Sequence, residues 1–229
     1  MTDTAVTSPE KSDPAVGRRS HTLVMLPTVG ATVLVTIVLG LWIVAATSDD
    51  RTEAAAVPTA GSADAGFARD MAVHHQQAVE MAYVVRDRTA NEDVRRLAYD
   101  IAQTQANQRG MLLGWLDLWK LPVTSPDGYM IWMPMDHMDH QLQDGSLMPG
   151  MATNTEIAQL GRLKGEQAEI LYLQLMYEHH KGGIDMARAC AQQCAVPQEK
   201  QLAQGMVDAQ QSEMQVMTDL LRERGAAPR

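Results

Sequence analysis

Large aromatic side chains are almost missing from this chain: one Phe, four Trp and five Tyr serve 229 residues. A core built without them must rely on aliphatic residues and on methionine, whose flexible thioether fills irregular gaps. Cysteine is nearly as scarce. Cys190 and Cys194 are the only two, and neither lies near the end of the one long apolar run, which argues against a lipoprotein anchor. There is no basic patch and no interleaving of aromatic with basic residues, and the formal net charge is −9. Nucleic acid is therefore excluded as a partner. No Gly-x-Ser-x-Gly elbow, Walker loop, dinucleotide fingerprint or His-Glu-x-x-His helix occurs, so hydrolase and transferase readings have no motif to stand on. No catalytic residue is assigned.

Methionine is what the chain has in excess. There are 16, and 14 of them lie between Met71 and Met217. Several belong to a pattern written twice. Met71-Ala72-Val73-His74-His75, followed by Met81-Ala82, returns 105 residues later as Met176-Tyr177-Glu178-His179-His180, followed by Met186-Ala187. The register holds without a gap: Leu97-Ala98 maps onto Leu202-Ala203, Gln105 onto Gln210 and Leu116 onto Leu221. Two similar units thus place thioether and imidazole groups at equivalent points.

The apolar run, Leu23 to Ala46, is uncharged and 24 residues long. As a helix it spans roughly 36 Å, enough for a hydrocarbon core of about 30 Å. Lys11, Arg18 and Arg19 precede it, while Asp49, Asp50 and Glu53 follow. The positive-inside tendency puts the N-terminus in the cytoplasm and everything after residue 47 outside. A single-pass membrane protein with an extracytoplasmic domain is the expectation. Secretion after cleavage of a signal peptide near Ala45-Ala46-Thr47 is the alternative, although the run exceeds the usual apolar region of about 7–15 residues.

Four helices are expected after a tether. Residues 1–22 read as a cytoplasmic disordered tail, 23–46 as the transmembrane anchor and 47–62 as a linker. The first helix runs from about Ala63 to Thr89, with Phe67, Met71, His74, Ala78, Met81 and Val85 at helical spacing. Asn91 suits the N-cap of the second, with Glu92 and Asp93 in its first turn. The third is expected from near Thr155 without interruption to about Gln193. Pro197 suits the first turn of the fourth. Short connections make each pair an antiparallel hairpin. The fold class is all-α: a ferritin-like four-helix bundle over 63–224, made of repeat 1 (63–121), a long crossover (122–153) and repeat 2 (154–224).

On a helix, Met71 shares a face with His74 and His75, and Met81 continues the stripe. Met176, His179, His180 and Met186 repeat the arrangement. Thioether plus imidazole suits copper, as Cu(I) or through His as Cu(II), better than Mg²⁺ or Ca²⁺. Core methionines beside satisfied polar histidines are the competing account. The crossover is a second candidate site, with six Met and two His between Met130 and Met151. Met133, Met135, His137, Met138 and His140 would form an acquisition loop, unless the segment is an amphipathic lid. Di-iron chemistry is disfavoured because no Glu-x-x-His recurs at the paired histidines. Glu80 and Asp185 are the one kept acidic pair, either surface groups or supports for a His ring. Cys190 and Cys194 stand four apart, a spacing that a regular helix does not close into a disulfide, although fraying at a helix end would.

Asp70-Met71-x-x-His74-His75-x-x-Ala78-x-x-Met81-Ala82, the paired Gln105 and Gln210, and Met148-Pro149-Gly150-Met151 before the second Met-x-x-His-His together resemble one bacterial family, domain of unknown function 305. The resemblance spans roughly residues 62–224. It implies an exported ferritin-like four-helix protein, and some members are implicated in copper binding and tolerance. It carries that expectation to Met71, His74, His75, Met81, Met176, His179, His180 and Met186. The chain departs from the pattern at Gly182-Gly183, where the first copy has Gln77-Ala78; these glycines either loosen the helix or admit a close neighbour. A membrane-anchored copper-binding protein for sequestration, tolerance or hand-over is the expectation. The alternative is a non-metal interaction module that uses the Met-rich loop as a protein-binding surface.

Overall fold

The computed structural model describes residues 57–133 and 144–229. The tail, the apolar run 23–46 and most of the linker lie outside the described residues, as do Met135, His137, Met138 and His140. Among the described residues no helix is long and apolar enough to cross a membrane.

The described chain is all-helical, with α1 (Ala63–Arg86), α2 (Glu92–Leu118), α3 (Asn154–Arg162), α4 (Glu166–Gln193) and α5 (Pro197–Glu223). Local chemistry sets most of the ends. Ser62 Oγ accepts from the Ala65 N–H, and Asn91 Oδ1 accepts from the Asp93 and Val94 N–H groups, the N-cap that the sequence predicts. Thr153 and Glu156 close a reciprocal capping box on α3. Val196 has no capping side chain. Asp64 supplies the missing acceptor from α1, taking the Ala195 and Val196 N–H groups at 2.9 and 2.7 Å.

The expected third helix is broken, so the described residues form five helices where four are expected. Leu163 is extended, and Gly165 stands at φ +53°, ψ −140°, a conformation that costs glycine little and other residues more. Its N–H donates to the Arg88 carbonyl at 2.8 Å. That bond to the α1–α2 turn replaces the intrahelical partner.

Arg69 Nη1 donates to the Ala60 carbonyl at 2.7 Å and Arg69 Nε to the Pro122 carbonyl at 2.8 Å, which ties both approaches to α1.

α1 packs against α2 and α4 against α5, and the two hairpins meet chiefly through α1 and α4. The core has two parts. One contains Met81, Val85, Val94, Ile101, Met176 and Leu221. The other contains Phe67, Met71, Leu112, Met148, Met186 and Met206. On every long helix a stretch of polar residues separates the two: His74 and His75 on α1, Gln105 and Gln108 on α2, His179 and His180 on α4, Gln210 and Glu213 on α5. The repeat has become a pseudo-twofold arrangement with a polar layer at its middle.

The crossover is fastened on both sides. Asp70 Oδ2 accepts from the Met130 N–H at 2.8 Å and from Trp132 Nε1 at 2.9 Å. The Gln77 amide donates to the Ala152 carbonyl at 2.9 Å and accepts from its N–H at 2.8 Å. Pro149 and Gly150 press on α4 where it carries Gly182: a Cβ there would stand 2.1 Å from the Pro149 oxygen. This contact is why the second copy departs to glycine. Gly182→Ala is expected to destabilise the protein by about 1–3 kcal/mol, because backbone meets backbone and no rotamer relieves it. Urea unfolding measures the loss, and faster amide exchange at Ala152 would show that the crossover has lifted.

Candidate metal centre

All four paired histidines are buried: His74, His75 and His180 are fully covered and His179 is 1% exposed. The pairs converge. The His74 and His179 rings lie face against face, with centroids 3.7 Å apart and planes 34° apart. His179 Nε2 donates to the His74 carbonyl at 3.0 Å.

The outer histidines are held from the neighbouring helices. His75 Nε2 meets Gln108 Oε1 at 2.9 Å, and His180 Nε2 meets Glu213 Oε2 at 2.7 Å. Both contacts span 33 residues, and Gln108 and Glu213 are themselves 105 apart, so this pair belongs to the repeat as well. Each partner is an acceptor, so Nε2 of each ring carries a proton, and the Nδ1 of neutral His75 keeps its lone pair. Nδ1 of His75 and of His180 is buried without a hydrogen-bond partner, as are both ring nitrogens of His74.

Burial strips water from these rings and holds His74 and His179 well below the ordinary imidazole value, with the neighbouring imidazoles acting in the same direction. His75 falls to about 3, from burial first, with the Gln108 contact opposing. The Pro149 carbonyl lies close enough to His74 to oppose its shift, although no bond of proper geometry joins them. Neutral imidazoles at pH 7 have donor lone pairs available to a cation.

Thioethers flank the layer on both sides. Met71 and Met186 lie in one apolar cluster and Met81 and Met176 in the other, all four at most 1% exposed. The structure brings His74 and His179 together and places the four repeated methionines in the two apolar clusters on either side. Among the described residues, no three of the histidine nitrogens lie within 4.8 Å of one another. Closing on one ion therefore requires side-chain rotation, for which methionine and the unpartnered nitrogens leave freedom. Met133 is half-buried beside the Met71 cluster and is the one acquisition-loop residue among those described.

Gln108 and Glu213 were not singled out from the sequence as part of the site. The available signal was the 105-residue register combined with polar residues on an apolar helix face. Glu80 and Asp185 are exposed surface groups, the latter near Arg188 at 3.8 Å, and support no His ring. Asp70 anchors the crossover. A groove of about 550 Å³ between α2 and α5 has Gln108, Met111, Trp115 and Leu202 in its lining, so the residue that holds His75 faces an opening.

The chain matches the family described as domain of unknown function (DUF305) over residues 64–221. It belongs to the DUF305 family. A DUF305 protein from Streptomyces coelicolor, classed by name as secreted, is 62% identical with a TM-score of 0.68, covering 75% of this chain and 99% of that one. A DUF305 fragment from Deinococcus radiodurans is 30% identical with a TM-score of 0.58, covering 70% of this chain and 96% of that one. CopM in its Cu(I)-bound form is 19% identical with a TM-score of 0.54 over 70% of this chain and 96% of its own, a likeness of fold. No curated protein matches this chain.

Proposed function

We propose that this DUF305 protein is an exported copper-binding protein that holds copper, Cu(I) foremost, in the buried layer between its hairpins. The observation that carries the reading is the set of buried, unpartnered imidazole nitrogens of His74, His75 and His180. A purely structural layer would satisfy them. Neutral imidazole and thioether match a soft ion, and little else in the layer would attract Mg²⁺ or Ca²⁺. The existence of CopM structures with Cu(I) and with Cu(II) on the same fold supports the reading. Sequestration, tolerance or hand-over of copper fits such a site better than turnover does.

In this reading His74, His75, His179 and His180 supply nitrogen, and Met71, Met81, Met176 and Met186 supply sulfur. Met133, Met135, His137, Met138 and His140 gather the ion outside, and the 23–46 segment tethers the domain to the membrane's outer face, with signal cleavage and secretion as the other route. Competition titration of the full chain with Cu(I), Cu(II) and Zn(II) tests it. Saturable, Cu(I)-selective binding supports the proposal, and a folded protein with no selectivity ends it. Serine at Met135, His137, Met138 and His140 should slow loading while leaving equilibrium affinity nearly intact. Deleting all of 130–151 would be uninformative, because Met130 and Met148 are core residues.

The two half-sites differ in one respect. His180 leans on a carboxylate and His75 on a neutral amide. A carboxylate raises the donor strength of an imidazole and fixes its orientation. Glu213→Gln should therefore lower copper affinity about 10–100-fold, the range typical for such partners, and Gln108→Glu should raise it. Competition with a chromophoric chelator reads both.

A further inference from the structure

Outside the histidine layer, one cluster of metal-ligating side chains remains without a role. Cys190 and Cys194 are joined as a disulfide, with Cα atoms 4.8 Å apart. Cys194 closes it because it is the residue after α4, extended at ψ 146°, and so leaves the helical register. Glu199, on the third residue of α5, places a carboxylate oxygen with both sulfurs, all three ligand atoms within 4.8 Å of one another. Glu199 is fully buried; no donor reaches either of its oxygens, and the Asp64 carboxyl lies within hydrogen-bonding reach of it. A carboxyl so placed needs either a proton or a cation.

We propose that Cys190, Cys194 and Glu199 form a second metal site, for a thiophilic divalent cation of the Zn(II) class, that exists only when the disulfide is reduced. Bonds of about 2.3 Å to sulfur and 2.0–2.2 Å to oxygen put the ligand atoms of a tetrahedral ion roughly 3.5–4 Å apart. The two sulfurs, bonded to each other in the structure, must part to reach that spacing, while the carboxylate oxygen already stands within 4.8 Å of both. Cys194 leads into the short connection to α5, so its sulfur can withdraw without unwinding α4. Asp64 holds that connection in place through the Ala195 and Val196 amides and stands against Glu199, adding negative charge. Met206 and Ala203 belong to the same apolar cluster as the two cysteines, in surroundings that exclude competing water.

The chemistry balances with a dithiol as reductant. Its two thiol protons and two electrons pass to the sulfurs of Cys190 and Cys194, and it leaves as its own disulfide. The cation then replaces both thiol protons and the Glu199 carboxyl proton, which go to solvent. Exchange with a disulfide oxidant, which takes up the two electrons and leaves as its dithiol with two protons from solvent, rebuilds the Cys190–Cys194 bond, removes two ligands and expels the ion. The first repeat has Val85 and Thr89 where the cysteines stand, so this site is independent of the repeated histidines.

The test uses the full chain and Co(II), a spectroscopic stand-in for Zn(II), under anaerobic conditions before and after reduction with a phosphine. The reduced protein should show a near-ultraviolet thiolate-to-cobalt charge-transfer band that saturates and that Zn(II) erases. The oxidised protein and Cys190→Ser should lack it, and Glu199→Gln should keep the band with affinity lowered at least tenfold. A variant with alanine at all four paired histidines should retain it, so loss of the copper reading would leave this site standing. A reduced, folded wild type with no band overturns the proposal. So does a band that survives Cys190→Ser, or one whose affinity ignores Glu199→Gln.

Discussion

Replacing His74 and His179 together with alanine is expected to lower Cu(I) affinity by more than about 100-fold, since loss of an outer-shell partner alone typically costs 10–100-fold. These two rings sit against each other at 3.7 Å between the hairpins, so the pair removes a nitrogen donor from each half at once. The fold should persist. Neither ring nitrogen of His74 is hydrogen-bonded, His179 gives up one bond to the His74 carbonyl, and the helices are held by two apolar clusters on either side. Circular dichroism checks that the variant is folded before its affinity is compared. A second double variant, His74→Ala with His75→Ala, separates one shared site from two. Separate sites lose half of the bound copper, whereas a shared site loses nearly all of it. Wild-type affinity in both variants would end the assignment of copper to this layer.

The metal-free, oxidised protein is expected to be most stable near pH 6.5, falling away on both sides. His74, His75 and His179 have folded-state values below the ordinary imidazole value of 6.5. Their contribution is complete above 6.5 and is lost as the pH falls, because the unfolded chain then binds protons that the folded layer refuses. Each group removes up to about 1.4 kcal/mol per pH unit. Glu199 acts with the opposite sign. Burial first, then the neighbouring Asp64, pushes its carboxyl from 4.5 up to about 9. Its contribution is complete below 4.5 and is lost as the pH rises towards 9, again by up to about 1.4 kcal/mol per pH unit. Glu199→Gln should flatten the alkaline limb and steepen the acid limb between pH 4.5 and 6.5, where the two effects oppose each other. Urea midpoints between pH 4 and 9 for both proteins measure this. An alkaline slope that survives the substitution would show that Glu199 is not its source.

Several elements were legible because their causes are local. Asn91 caps α2 through bonds within a turn of the chain, and Pro197 opens α5 because its ring presets φ and carries no N–H to leave unbonded. The buried face of α1, from Phe67 to Val85, follows from 3.6-residue periodicity. The repeat register named the four histidines and four methionines before any packing was known. The break between α3 and α4 was not legible, because glycine alone costs a helix only about 1 kcal/mol. The deciding bond runs from Gly165 to Arg88, 77 positions away. Asp70 likewise reads as part of a motif, yet it holds Met130 and Trp132. The Cys190–Cys194 bond depends on where α4 stops, which sequence places only to within a residue or two.

The sequence by itself determined which residues recur, which faces are apolar and that soft donors stand at equivalent points of two hairpins, since periodicity and register are properties of one strand of text. Only the tertiary structure decided that the histidines meet in one buried layer, that Gln108 and Glu213 hold them unequally, and that Glu199 stands beside the cysteines. Those outcomes depend on how separate helices pack, and packing is set by contacts between residues far apart in the chain, whose energies no local pattern contains.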